Sequence, residues 1–124
     1  MSTRSVVTFK QKGNPTFHVY KHCDGYPDTM LPLITASLAK AWPLPRYEND
    51  EFATAFIATA KDSCGDVRLT TSYKAHGDLD YRYEIDQTND KRVIVKCYAV
   101  NGYSKNDSTI WKLESKHDLV MGGK

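Results

Sequence analysis

The sequence predicts an α+β fold: an antiparallel sheet of five or six strands with two helices packed on one face, in the order β-β-α-α-β-β-β with a further strand at the end. Apolar residues alternate with period two near both ends of the chain and recur at three- and four-residue spacing between them, with Gly, Pro and Asx clusters separating these stretches. A sheet with one wet face must alternate in this way, and two amphipathic helices supply the cover for its dry face. With 124 residues, 40% of them hydrophobic, the chain is expected to form a single domain over 1–124, burying roughly two-thirds of the surface its unfolded form exposes.

An N-terminal hairpin is expected over 5–22. Val7 and Phe9 alternate with Val6 and Thr8, and Phe17 and Val19 oppose His18, Tyr20 and His22. Lys12-Gly13-Asn14-Pro15 supplies the turn. Asp24-Gly25 and Pro27 should then stop the ladder, with Asp24 accepting in an Asx turn and Gly25 at positive φ. A helix over about 29–42 follows, capped by Asp28 or Thr29, with Pro32 tolerable only in its first turn. Its stripe is Leu31, Ile34, Leu38 and Ala41, closed by Trp42 before Pro43. The second helix, over about 50–62, begins at Asn49 or Asp50 and sets Phe52, Phe56 and Ala60 on one side with Ala53 and Ile57 beside them. Ser63-Cys64-Gly65-Asp66 ends it.

The period then changes to two, and strands are expected within 66–114. Val67, Leu69 and Thr71 alternate with Arg68 and Thr70; Tyr81, Tyr83 and Ile85 with Asp80, Arg82 and Glu84; Val93, Val95, Cys97 and Ala99 with Ile94, Lys96 and Tyr98. Thr88-Asn89-Asp90 is the turn of a second hairpin, a last short strand centres on Ile110-Trp111-Lys112-Leu113, and 116–124 reads as a frayed tail.

Seventeen basic against fifteen acidic residues give a formal charge of +2, too small a surplus to indicate a phosphate-backbone binder. Cys23, Cys64 and Cys97 are odd in number and far apart, which argues against a disulfide framework or a four-thiolate zinc site and points to a reducing cytoplasm. No apolar run reaches the length of a membrane span, and residues 1–12 lack the apolar core of a secretory signal.

The densest chemistry lies in Tyr20-Lys21-His22-Cys23-Asp24-Gly25-Tyr26-Pro27. His22 could act as a general base or metal ligand oriented by Asp24 or Asp28, but no third or fourth ligand is identifiable, so neither a metal nor a catalytic residue is assigned and no cofactor is implied. The bland account makes the same segment a packed turn with His22 hydrogen-bonded nearby. Cys97 alternates with valines and reads as core, Cys64 lies where a helix dipole disfavours a thiolate, and Cys23 points away from His22. The candidate binding residues are Tyr20, His22, Asp24, Tyr26 and Arg82. Tyrosines beside Arg68, Arg82, Lys96 and Lys112 could form a sheet face that binds a protein or stacks a base, although Asp80, Glu84 and Glu114 make it a mixed-charge face.

A hairpin strand running into Tyr-x-His-x-Asp-Gly-Tyr-Pro, then two helices and the Tyr81-Arg82-Tyr83-Glu84-Ile85 strand, resembles a loose group of small phage and prophage proteins, most of which carry no assigned function. The likeness runs from about Val6 to Val100, and only Tyr20 to Pro27 is specific. Two departures stand out: Cys23 replaces a frequent aromatic residue, and Asp28-Thr29-Met30 replaces small residues and Gly. The resemblance implies a phage or prophage origin, hence the host cytoplasm, and carries over no catalytic residue. The leading expectation is a non-enzymatic accessory protein that binds or inhibits a host or viral macromolecule, with protein favoured over nucleic acid and no membrane partner. The alternative is a small-molecule or nucleotide-binding domain, or an enzyme, built on the Tyr20–Pro27 turn. A dimer through an edge strand is a further expectation.

Overall fold

The computed structural model describes residues 3–12, 16–41, 47–62, 65–89, 92–103 and 109–120. A hairpin of β1 (Ser5–Phe9) and β2 (Phe17–Lys21) leads into α1 (Pro27–Lys40) and α2 (Asn49–Lys61). Then come β3 (Val67–Thr70), one 3-10 turn (Tyr73–Ala75), β4 (Tyr81–Asn89), β5 (Arg92–Tyr103) and β6 (Thr109–Val120). The strands make one six-stranded sheet ordered β3-β2-β1-β4-β5-β6, so the fold is α+β as expected.

The sheet is antiparallel except at its centre, where β1 runs parallel to β4 with Val7 opposite Tyr83. Topology explains the exception. The chain adds β3 outside β2, and residues 71–80 then cross over β2 and β1 to lay β4 on the far side of β1. A strand reached by such a crossover runs parallel to its start, here β3, and β3 already runs parallel to β1.

Odd-numbered strand residues up to Cys97 face the helices. Val7, Phe9, Val19, Val67, Tyr83, Ile85, Val93, Val95 and Cys97 meet Met30, Ile34 and Leu38 of α1 and Phe52, Phe56 and Ala60 of α2. The Phe9 ring lies 5.5 Å from Phe52 and 5.8 Å from Phe56, and each such burial is worth about 2–3 kcal/mol. The entry to α2 is pinned to the end of β1: the Tyr47 hydroxyl donates to the Lys10 carbonyl (2.9 Å), and the Asn49 N–H donates to Gln11 Oε1 (2.8 Å). The opposite face holds a smaller cluster of Val6, Tyr20 and Leu79, with Tyr73 and Trp111 against it.

Several expectations are corrected. Pro27 does not merely end the hairpin; it opens α1, two residues earlier than expected, and Tyr26 caps the helix without a side-chain hydrogen bond. Pro32 consequently falls beyond the first turn. It is Asp24, not Gly25, that has positive φ (55°), a conformation carboxylate and amide side chains tolerate. Leu69 does not join the core and is 74% exposed, because β3 is an edge strand of four residues. Residues 116–120 are not a frayed tail but part of a twelve-residue β6, since the equally long β5 offers them a partner as far as Arg92 opposite Val120. The turn expected at Thr88-Asn89-Asp90 starts too early, since Thr88 and Asn89 still belong to β4; Asp90, the turn residues 13–15, Trp42 and Ser63-Cys64 lie outside the described residues.

Candidate functional site

The Tyr20–Pro27 segment is divided by the sheet. Strand alternation sends Tyr20 and His22 to the helix-free face and Lys21 to the helix side. The Tyr20 hydroxyl and His22 Nδ1 are 2.8 Å apart, and the His76 imidazole stacks on the Tyr20 ring at 4.1 Å and 6°. His76 Nε2 in turn meets Thr70 Oγ1 at 2.9 Å. Burial is the largest influence on the Tyr20 phenol and pushes its pKa up.

Lys21 is completely buried, its Nζ donating to the Cys23 carbonyl at 2.5 Å, and burial pushes its pKa down despite the attraction of Asp24. Cys23 is disulfide-bonded, whereas Cys97 is a buried free thiol. This corrects the reading of the three cysteines as reduced: an odd count at wide spacing leaves room for one bridge and one free thiol. Gly25 is held under the N-terminus, its N–H donating to the Thr3 carbonyl (2.9 Å) and its carbonyl accepting from the Tyr83 hydroxyl (2.8 Å). Asp24 is exposed, and Tyr26 sits 39% exposed at the start of α1. Of the five candidate residues, Tyr20 and His22 therefore touch, while Asp24 and Tyr26 belong to the turn. Among the described residues, no three His, Cys, Asp or Glu side chains are grouped as metal ligands.

Arg82 is on the same face as Tyr20, one strand beyond Val6 in the same row. Its guanidinium lies 4.5 Å from the Tyr73 ring centroid, 4.3 Å from Tyr98 and 5.5 Å from Trp111. It also donates to Glu84 at 3.0 Å, and the buried Arg82 Nε has no hydrogen-bond partner among the described residues. Three aromatic faces replace water around this cation. Glu84 is held besides by Lys10 at 3.3 Å. Burial, the largest influence on the Glu84 carboxyl, would raise its pKa, but Lys10 and Arg82 together outweigh it and hold it low.

The row next to Arg82 carries Glu84, Lys96 and Lys116 on adjacent strands. Lys116 takes the place expected for Lys112 because β6 bulges at Glu114: Cys97 faces Ser115 but Tyr98 faces Leu113. The bulge turns Lys112 to the helix side, opposite Ala99, and Glu114 acts on Tyr81, Tyr83 and Cys97 there. Leu113 and Val120 remain 40% and 44% exposed on the helix-free side. A depression of about 550 Å³ lined by Lys10, Gln11, Lys12, Thr16, Asp86 and Gln87 adjoins this area.

The period-two pattern had marked Arg82 and Glu84 as facing away from Tyr83. The contributions of Tyr73, His76 and Leu79 had no periodic signal, since they lie in a crossover between strands.

The fold and this face define a class: a two-layer α+β domain with helices on one side of the sheet and a cationic, aromatic surface on the other. The chain matches no protein-family model, no curated protein and no solved structure. No helix is long and apolar enough to cross a membrane among the described residues.

Proposed function

We propose that the chain is a non-enzymatic binding module, of the phage accessory type its Tyr20–Pro27 motif resembles, acting on a host or viral protein through the helix-free face of β4, β5 and β6. One observation carries this reading. Helices cover one side of the sheet and residues 71–80 cover the β1–β2 part of the other, yet Leu113, next to Lys96 and Lys116, and Val120, opposite Arg92, stay partly exposed. Apolar side chains left wet among cations are what a protein partner would desolvate. The Cys23 disulfide favours an oxidising compartment over the cytoplasm, such as the periplasm or cell exterior. The test is capture from host fractions with the wild-type chain and with Leu113→Asp/Val120→Asp, whose wild-type side chains are already partly wet. A partner retained by the first and lost by the second supports the reading; equal recovery by both, or none by either, overturns it.

A second reading rests on the Tyr20–His22 contact, which would give a small-molecule or nucleotide site a fixed imidazole. It predicts that some nucleotide or metabolite raises the melting temperature of the wild type and not of His22→Ala. A flat screen with both proteins folded removes it.

A further inference from the structure

The proposed binding face has a charge pattern of its own. On the helix-free side, the β4–β5–β6 surface and the adjoining Lys10 bring together Lys10, Arg82, Arg92, Lys96 and Lys116 against Glu84, Asp86 and Asp118. Five cationic groups against three carboxylates leave a surplus of two, equal to the formal charge of the whole chain. Two of the carboxylates are paired, Glu84 with Lys10 and Arg82 and Asp118 with Arg92 at 3.3 Å, while Asp86, opposite Ile94, accepts from the Gln87 N–H and lines the depression beside Lys10. Lys96 and Lys116 face one another across β5 and β6 with no ion pair among the described residues.

Like charges directly opposite on neighbouring strands destabilise a sheet, so this pair costs the free protein stability that an anionic group between the two ammonium ions would recover. The neighbours determine what kind of anion fits. Along this strip of β5 and β6, Leu113 and Tyr98 flank the lysine pair on one side and Ile94 on the other, where Ile94 is opposite Asp118, itself paired with Arg92, and Val120 follows opposite Arg92. Aliphatic side chains suit leucine-like groups better than nucleobases, and the aromatic rings nearby are not free platforms, since Tyr98 and Trp111 already pack on Arg82.

We propose that this strip binds an acidic, aliphatic-rich protein segment, with Lys96 and Lys116 as its carboxylate contacts and Ile94, Leu113 and Val120 as its apolar contacts. The proposal rests on the binding-module reading and adds the chemistry of the partner.

The experiment is an NMR titration of the intact chain with a short synthetic peptide of alternating Glu and Leu, with its Gln–Leu counterpart, and with a thymidine oligonucleotide. The Glu–Leu peptide should shift amide signals of residues 94–98 and 113–120 and bind at least about tenfold more weakly to Lys96→Glu/Lys116→Glu, the loss of about 1.4 kcal/mol expected for a charge-assisted contact. Lys40→Glu, at the exposed end of α1, reverses a lysine away from this face and should leave affinity unchanged. Should the double reversal fail to fold, Lys96→Gln/Lys116→Gln is to weaken binding in the same direction. Equal binding of the Gln–Leu peptide, equal loss in Lys40→Glu, shifts with the oligonucleotide alone, or no shift at millimolar peptide each overturns the proposal. A captured partner lost with Leu113→Asp/Val120→Asp but retained by the lysine variants would leave the module standing and refute only the acidic segment.

Discussion

The guanidinium of Arg82 lies 4.3 Å from the centroid of the Tyr98 ring, its cross-strand neighbour on β5, and this contact holds together the helix-free face. Tyr73 of the crossover and Trp111 of β6 close on the same cation, so one β4 side chain ties three other parts of the chain. Replacing Arg82 with Met should cost about 2 kcal/mol or more in urea unfolding, because several desolvated cation–π contacts are lost along with the Glu84 pair. Lys at this position should not restore the loss, since an ammonium cannot stack between rings as a planar guanidinium does. A change below about 0.5 kcal/mol would reduce the cluster to an ordinary surface contact.

Gly25 is required by space. A Cβ added there would lie 2.8 Å from both the Ser5 Cβ and the Thr3 carbonyl oxygen. Gly25→Ala should destabilise by about 1–3 kcal/mol, the range for overpacking, and Ser5→Gly should recover only part of it because the Thr3 backbone stays in the way. Unfolding curves of the single and double variants check this.

Lys21 gives a pH dependence whose sign is fixed. Burial lowers its native pKa below the ordinary lysine value, so between those two values the unfolded chain binds more protons and stability rises with pH. Tyr47 and Tyr83, whose pKa values burial raises, act in the opposite direction only above the ordinary tyrosine range. Between about pH 7 and about pH 9.5 the wild type should gain stability relative to Lys21→Met in denaturation curves; the buried Cys97 thiol, whose pKa burial raises, acts in the opposite direction in both proteins and cancels in the comparison. Identical pH slopes in the two proteins would show that Lys21 does not carry its charge in a buried site.

The Cys23 bond should add roughly 2–4 kcal/mol, the usual contribution of a cross-link that restricts the unfolded chain. Reductant should lower the melting temperature of the wild type and leave Cys23→Ser, already lowered, unchanged. A reductant response of the same size in both proteins would assign the effect elsewhere.

Much of the architecture was legible from alternation. Val7 and Phe9 against Val6 and Thr8, or Tyr83 and Ile85 against Arg82 and Glu84, divide between the two sides as period two requires. Lys112 and Lys116 were not legible, because one extra residue at the Glu114 bulge reverses the side of everything before it. The candidate site was only half legible. Tyr20 and His22 share a face by their spacing of two, but nothing local announces that His76 stacks on one and Tyr73 reaches Arg82.

The sequence by itself determined the elements and their wet and dry sides, because hydrophobic period, proline and turn residues act over a few neighbours at a time. Only the tertiary structure decided the parallel pairing of β1 with β4, the cage around Arg82, the bonded state of Cys23 and the meeting of Lys96 with Lys116. Each of these depends on where a crossover or a long hairpin returns, and on a register fixed by packing against the helices and by pairing with the neighbouring strand.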